Sequence, residues 1–129
     1  MEARPEKVIL IVDDERDVLL LFQMLMKRKV SVCHVATNGQ EALEVIRKVG
    51  HLDCVITDIS MPDMDGFELK EKMDELIPGV PVIGVTGHSD EDIMDRMRKA
   101  GFEHIIGKPV DREKLHEILE VVSGESSAQ

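Results

Sequence analysis

Short runs of aliphatic and β-branched residues alternate along this chain with stretches in which apolar positions recur every three or four residues. Lys7 to Val12, Val32 to Ala36, Asp53 to Thr57, Pro81 to Thr86 and His104 to Ile106 form the runs. Their length and their nearly continuous apolar character predict strands buried on both faces. Between them, Ala42, Val45, Ile46 and Val49 share the spacing of one helix face, as do Ile93, Met94, Met97 and Ala100. Leu115, Ile118, Leu119 and Val122 repeat it, and Leu69, Met73 and Leu76 make a sparser stripe. The first helix is expected to carry more apolar residues than one buried stripe uses, from Val18 through Leu19, Leu20, Leu21, Phe22, Met24 and Leu25 to Met26. Some of these must face outward. Asp90 and Asp111 stand where helix caps are needed, while Ala100-Gly101 and Pro78-Gly79 supply stops. Strands alternating with helices predict an α/β fold: right-handed crossovers and a parallel sheet covered on both faces. Periodicity does not give strand order. Binding sites of such sheets, however, open outside the carboxyl ends of the strands, where the winding reverses.

The 129 residues suit one domain, expected over 1–122, with the polar, small-residue stretch 123–129 as a linker or frayed tail. Met1 is read as a natural start, and both a stand-alone protein and a segment of a longer one remain open. A net charge of -10 and only Phe22, Phe67 and Phe102 as aromatics argue against direct nucleic acid binding, which demands basic and stacking surfaces. No basic leader precedes a long apolar stretch, and Val8 to Val12 is too short to span a bilayer, so a cytoplasmic location without membrane contact is expected. Cys33 and Cys54 lie in apolar runs without Cys-x-x-Cys spacing and read as reduced small hydrophobes. His34, His51, His104 and His116 show no metal-ligand spacing and are given no role.

Chemistry collects at the strand ends. Asp13 and Asp14 follow the first run, Asp58 the third, Thr86 ends the fourth and Lys108 follows the fifth. Carboxylates gathered at one edge oppose joint ionisation unless a cation intervenes. Mg²⁺ suits them, since it accepts a few carboxylate oxygens, keeps water and leaves room for phosphate. Lys108 offers a point positive charge and Thr86 a hydroxyl donor for a phosphoryl oxygen, which would make Asp58 the nucleophile. Gly87 leaves space for phosphate beside the backbone. Asp63, Asp65 and Glu15 are read as rim charges.

The segments Val12-Asp13-Asp14-Glu15, Thr57-Asp58-Ile59-Ser60-Met61-Pro62-Asp63-Met64-Asp65-Gly66, Val85-Thr86-Gly87 and Gly107-Lys108-Pro109 resemble, in this order, the signature of response regulator receiver domains. The resemblance extends from about Lys7 to Val122 and implies a doubly wound, flavodoxin-like sheet in the order 2-1-3-4-5. It implies that Asp14, Asp58 and the backbone carbonyl of Ser60 bind Mg²⁺ directly, with Asp13 acting through water. Asp58 would accept a phosphoryl group from a histidine kinase or histidine phosphotransfer protein, Thr86 and Lys108 would contact it, and the Lys108-Pro109 peptide would be cis. The output would be a conformational change that regulates a partner protein, with turnover incidental.

Relatives turn a fifth-strand aromatic inward behind the Thr86 position. Here that residue is Ile105, a stiff branched side chain suited to packing, so a smaller or different movement of the last helices is expected. Ser60 and His88, each two residues beyond a key position, are expected to flank the route of hydrolytic water. The first helix is expected to dock the phosphodonor or to be broadly buried. A Mg²⁺-dependent aspartyl phosphohydrolase is the alternative. Such enzymes carry a second Asp where this chain has Ser60. A flavin carrier would need a phosphate-cradling loop in place of the acidic one after the first run.

Overall fold

The computed structural model describes residues 7–27, 32–87 and 90–123. Strands and helices alternate as β1 (Val8–Val12), α1 (Arg16–Met26), β2 (Val32–Ala36), α2 (Gly39–Val49), β3 (Cys54–Asp58), α3 (Gly66–Leu76), β4 (Val82–Thr86), α4 (Glu91–Ala100), β5 (His104–Gly107) and α5 (Arg112–Ser123). Each expected strand is present, displaced by a residue at some ends, and Asp58 is the last residue of β3 rather than the first beyond it. Residues 1–6, residues 124–129 of the expected tail and His88 lie outside the described residues, as do the side chains of Leu115, Leu119 and Val122.

All pairings are parallel and the strand order is β2-β1-β3-β4-β5. Side chains alternate across a strand, so each strand feeds two cores. Leu10, Val12 and Val55 pack with Ala42, Ile46, Leu69, Met73 and Met97 of α2, α3 and α4. Ile9, Ile11, Cys54 and Ile56 pack instead with Leu19, Phe22, Met26 and Ile118 of α1 and α5. The double winding follows. Gly84 keeps the first of these faces clear, since a β-carbon there would run into the Met97 Cε and stand 3.0 Å from the Phe102 ring.

The N-termini of α2, α3, α4 and α5 carry side-chain caps. Asp90 accepts from the Ile93 N–H, Asp111 from the Lys114 N–H, and Gly101 ends α4 in the left-handed region at φ 93. Asn38 and Asp65 also cap, accepting from the Glu41 and Glu68 N–H groups. The Asp65 cap is a full capping box, in which Glu68 reaches back to the Asp65 N–H. The expected stripe on α3 needs one correction: Leu69 and Met73 are buried, but Leu76 is 43% exposed. It lies in the final turn of the helix. Among the described residues no helix is long and apolar enough to cross a membrane.

Both cysteines are free. Burial pushes the Cys33 thiol up to about 11, and burial, aided by Asp53 and Glu103, pushes Cys54 up to about 12. Since the thiolate is the reactive form, only about one thiol in a thousand or fewer is ionised at pH 8. Neither cysteine is therefore expected to react with a disulfide reagent at pH 8 within minutes, whereas both react on unfolding. Rapid labelling of the folded protein would contradict this burial.

Candidate functional site

The strand order brings the acidic residues together. β1 lies beside β3 although some 45 residues separate them, and the register pairs Val12 with Thr57. Asp13 and Asp58, one residue further on, therefore leave the sheet side by side. The winding also reverses here, because α1 covers one face and α2 and α3 the other. One oxygen each from Asp13, Asp14 and Asp58 can lie within 4.8 Å of one another. Asp13 and Asp58 are buried and Asp14 is exposed, so the cluster is a pocket with a wet mouth.

Each acid is held. Asp13 Oδ1 accepts the Glu15 N–H at 2.8 Å, and Asp58 Oδ1 accepts the Ser60 N–H at 3.3 Å. The Ser60 side chain is exposed. The loop leaving Asp58 turns through Asp63 in the left-handed region, φ 71, and returns at Gly66, whose N–H donates to the Ile59 carbonyl at 2.8 Å. Gly66 is required at this return. A β-carbon there would stand 2.7 Å from the Asp58 carbonyl oxygen and 2.8 Å from Ile59 Cα.

Lys108 enters from β5. Its N–H donates to the Thr86 carbonyl at 2.8 Å, and the peptide to Pro109 is cis, as the resemblance implied. The Lys114 ammonium fastens the same turn, donating to the carbonyls of Gly107 at 2.9 Å and Pro109 at 3.2 Å. Lys108 Nζ then reaches Asp58 Oδ2 at 2.9 Å, Asp13 Oδ2 at 3.5 Å and Glu15 Oε1 at 3.7 Å. Burial draws the Lys108 ammonium down, but Asp58, Asp13 and Glu15 outweigh it and hold the group above its usual range. Asp13 is held above the usual carboxylate range chiefly by burial, with the charges of Asp58 and Asp14 adding to it.

Thr86 ends β4, beside β3, and is buried, while Gly87 beyond it is open: a β-carbon there would meet nothing within 4 Å. Ile105 is half-buried against the core on the α2, α3 and α4 side. Asp63 and Asp65 stay at the rim, one shaping the turn and the other capping α3. Glu15 is exposed as expected, yet it reaches Lys108, a contact that no spacing in the chain announces.

The donor set fits a hard divalent cation. Unit charges about 4 Å apart repel by about 1 kcal/mol in water and several times that in a half-buried pocket. One ammonium against Asp13, Asp14 and Asp58 leaves that repulsion only partly offset.

The family model for the response regulator receiver domain matches residues 9–120. The chain is 32% identical over 123 residues to a 14.6 kDa protein from Leptolyngbya boryana of uncharacterised function, covering 93% of this chain and 92% of that one. It is also 32% identical over 114 residues to the sensor histidine kinase RcsC of Escherichia coli K12, covering 88% of this chain but 12% of the kinase. The crystal structure of a CheY-like receiver domain protein from Methanospirillum hungatei superposes with a TM-score of 0.79 at 32% identity, covering 95% of this chain and all of the other. With this sheet order, this acidic pocket and these matches across nearly its whole described length, the chain belongs to the response regulator receiver domain family of two-component signalling.

Proposed function

We propose that this domain is a cytoplasmic phosphoacceptor: Asp58 takes a phosphoryl group from the phosphohistidine of a histidine kinase or phosphotransfer protein. The observation that carries the reading is the placement of Lys108 Nζ 2.9 Å from Asp58 Oδ2 beside the three-carboxylate cluster. In the transfer, an Asp58 carboxylate oxygen forms a bond to phosphorus as the P–N bond to the donor imidazole breaks. The leaving nitrogen keeps the electron pair. Asp14, Asp58 and the Ser60 carbonyl would hold Mg²⁺ directly and Asp13 through water, and the ion would supply positive charge to the phosphoryl oxygens. Lys108 would exchange its contact with Asp58 for one with a phosphoryl oxygen, and the Thr86 hydroxyl would donate to another. Ser60 at the mouth, and His88, would influence how fast water removes the group.

Metal binding is testable without turnover. Mg²⁺ at a hundred times its Kd should stabilise the fold by about 2.7 kcal/mol, raising Tm by about 10 °C. Asp13→Asn or Asp14→Asn should remove most of that gain. A stable beryllofluoride adduct should form on the wild type and should need both Mg²⁺ and Asp58. In that adduct the Ile105 methyl signals should move little, in keeping with a packing rather than a reporting side chain. Lack of any Mg²⁺-induced stabilisation would remove the reading.

The α1 surface supports a donor docking site. Leu20, Leu21 and Met24 are exposed by 57%, 46% and 73%. Leu21 also lines a groove of about 270 Å³, together with Val18, Phe22 and Leu25 of α1 and with Lys108, Pro109 and Val110. A donor helix laid there would bring its phosphohistidine to the pocket. Replacing Leu20, Leu21 and Met24 with Ser should slow phosphotransfer from the partner kinase about tenfold while leaving phosphorylation by acetyl phosphate unchanged. Equal effects on both donors would exclude docking here.

A further inference from the structure

Helix α1 begins at a cap that its own side chain does not serve. Glu15 holds the N-cap position in extended backbone, φ -97 and ψ 113, with no side-chain hydrogen bond to the helix. Shorter Asp, Asn, Ser or Thr side chains are the ones that reach those N–H groups. The Glu15 carboxylate turns instead toward Lys108, with Oε1 at 3.7 Å from Nζ. Its backbone N–H meanwhile orients Asp13 through the 2.8 Å hydrogen bond. Glu15 thus meets the pocket twice.

The Lys108 ammonium has three N–H donors and three carboxylates within reach, at 2.9 Å for Asp58, 3.5 Å for Asp13 and 3.7 Å for Glu15. The Asp13 and Asp58 side chains are 3% and 5% exposed, against 64% for Glu15 and 26% for Lys108. Glu15 therefore meets the ammonium on its solvent side, where an incoming phosphodonor must pass. We propose that Glu15 is a positioning residue that acts as a brake on phosphorylation, holding Lys108 at the rim in competition with the phosphoryl group. The inference rests on Asp58 being the acceptor. A phosphoryl dianion has to displace Glu15 from Lys108 and approach against its charge. Phosphorylation then begins from a charged lysine already engaged by carboxylates.

Glu15→Gln keeps the length and the backbone hydrogen bond while removing the charge. At saturating Mg²⁺ and low salt, its rate constant for phosphorylation by acetyl phosphate should rise about threefold to fivefold, the size of one solvent-screened unit charge beside the ammonium. Beryllofluoride should bind tighter by a similar factor, and both ratios should shrink toward one at about 1 M ionic strength. The contact itself is read without metal or donor. At fixed neutral pH the Lys108 side-chain NMR signals should shift in Glu15→Gln, while those of Lys70, paired with Asp74 on α3, stay in place. A rate at or below wild type overturns the brake, and unmoved Lys108 signals overturn the contact. If the wild type accepts no phosphoryl group although Lys108 still responds to Glu15→Gln, the phosphoacceptor reading fails and takes the brake with it.

Discussion

Asp58→Asn should take up phosphoryl groups from acetyl phosphate at least about a thousandfold more slowly than the wild type, followed by intact-protein mass spectrometry with Mg²⁺ present. The substitution keeps the shape of the side chain and removes only the nucleophilic charge. Burial alone does not single out Asp58, since Asp13 is 2% and Asp58 4% exposed. The contacts do. Asp13 already accepts a 2.8 Å hydrogen bond from the Glu15 N–H and stands 3.5 Å from the Lys108 ammonium. Asp58 has the closer lysine, at 2.9 Å, and only a long 3.3 Å bond from Ser60. On the phosphoacceptor reading, Asp58 is the acid expected to exchange these partners for phosphorus. Uptake in Asp58→Asn at the wild-type rate would move the acceptor to Asp13 or Asp14.

Gly66→Ala should destabilise the fold by about 2–4 kcal/mol, lowering Tm by roughly 10 °C, and should impair phosphorylation as well. The new β-carbon would lie 2.7 Å from the Asp58 carbonyl oxygen, 2.8 Å from Ile59 Cα and 2.9 Å from Ile59 Cδ1. Two of these neighbours are backbone and cannot swing aside, so the segment leaving β3 has to move. The gain in helix propensity from Gly to Ala, under about 1 kcal/mol, is too small to offset that. Gly87→Ala is the control. Its β-carbon meets nothing within 4 Å, so stability should change by less than about 0.5 kcal/mol. Equal losses of Tm in the two variants would contradict the tight approach of α3 to the end of β3.

Much of this molecule is legible in its chain because the relevant signals are local. An apolar run such as Val8 to Val12 needs burial on both faces whatever its neighbours are, and the Asp13-Asp14 pair that follows it has to mark a strand end. Caps at Asp90 and Asp111 are equally local, since an Asp three residues before a helical N–H reaches it within one turn. The segment from Asp63 to Gly66 was less legible. Its acids suggest only a solvated turn, whereas Asp63 takes the left-handed region and Asp65 closes a capping box with Glu68. Leu76 fits the period of α3, yet it is exposed, because periodicity records which residues share a face and not how far the neighbouring core extends.

The sequence by itself determined the alternation of strands and helices, the acidic character of the strand ends and the residue types able to handle a phosphoryl group. The order that sets β1 against β3 was implied by the family resemblance, and only the tertiary structure decided that Val12 stands opposite Thr57, that Lys108 crosses from β5 to Asp58 at 2.9 Å, and that Glu15 shares that lysine. The physical reason is range. Hydrophobic period and helix capping act over one or two turns of chain, whereas Asp13, Asp58 and Lys108 meet only after the sheet has chosen its order and register.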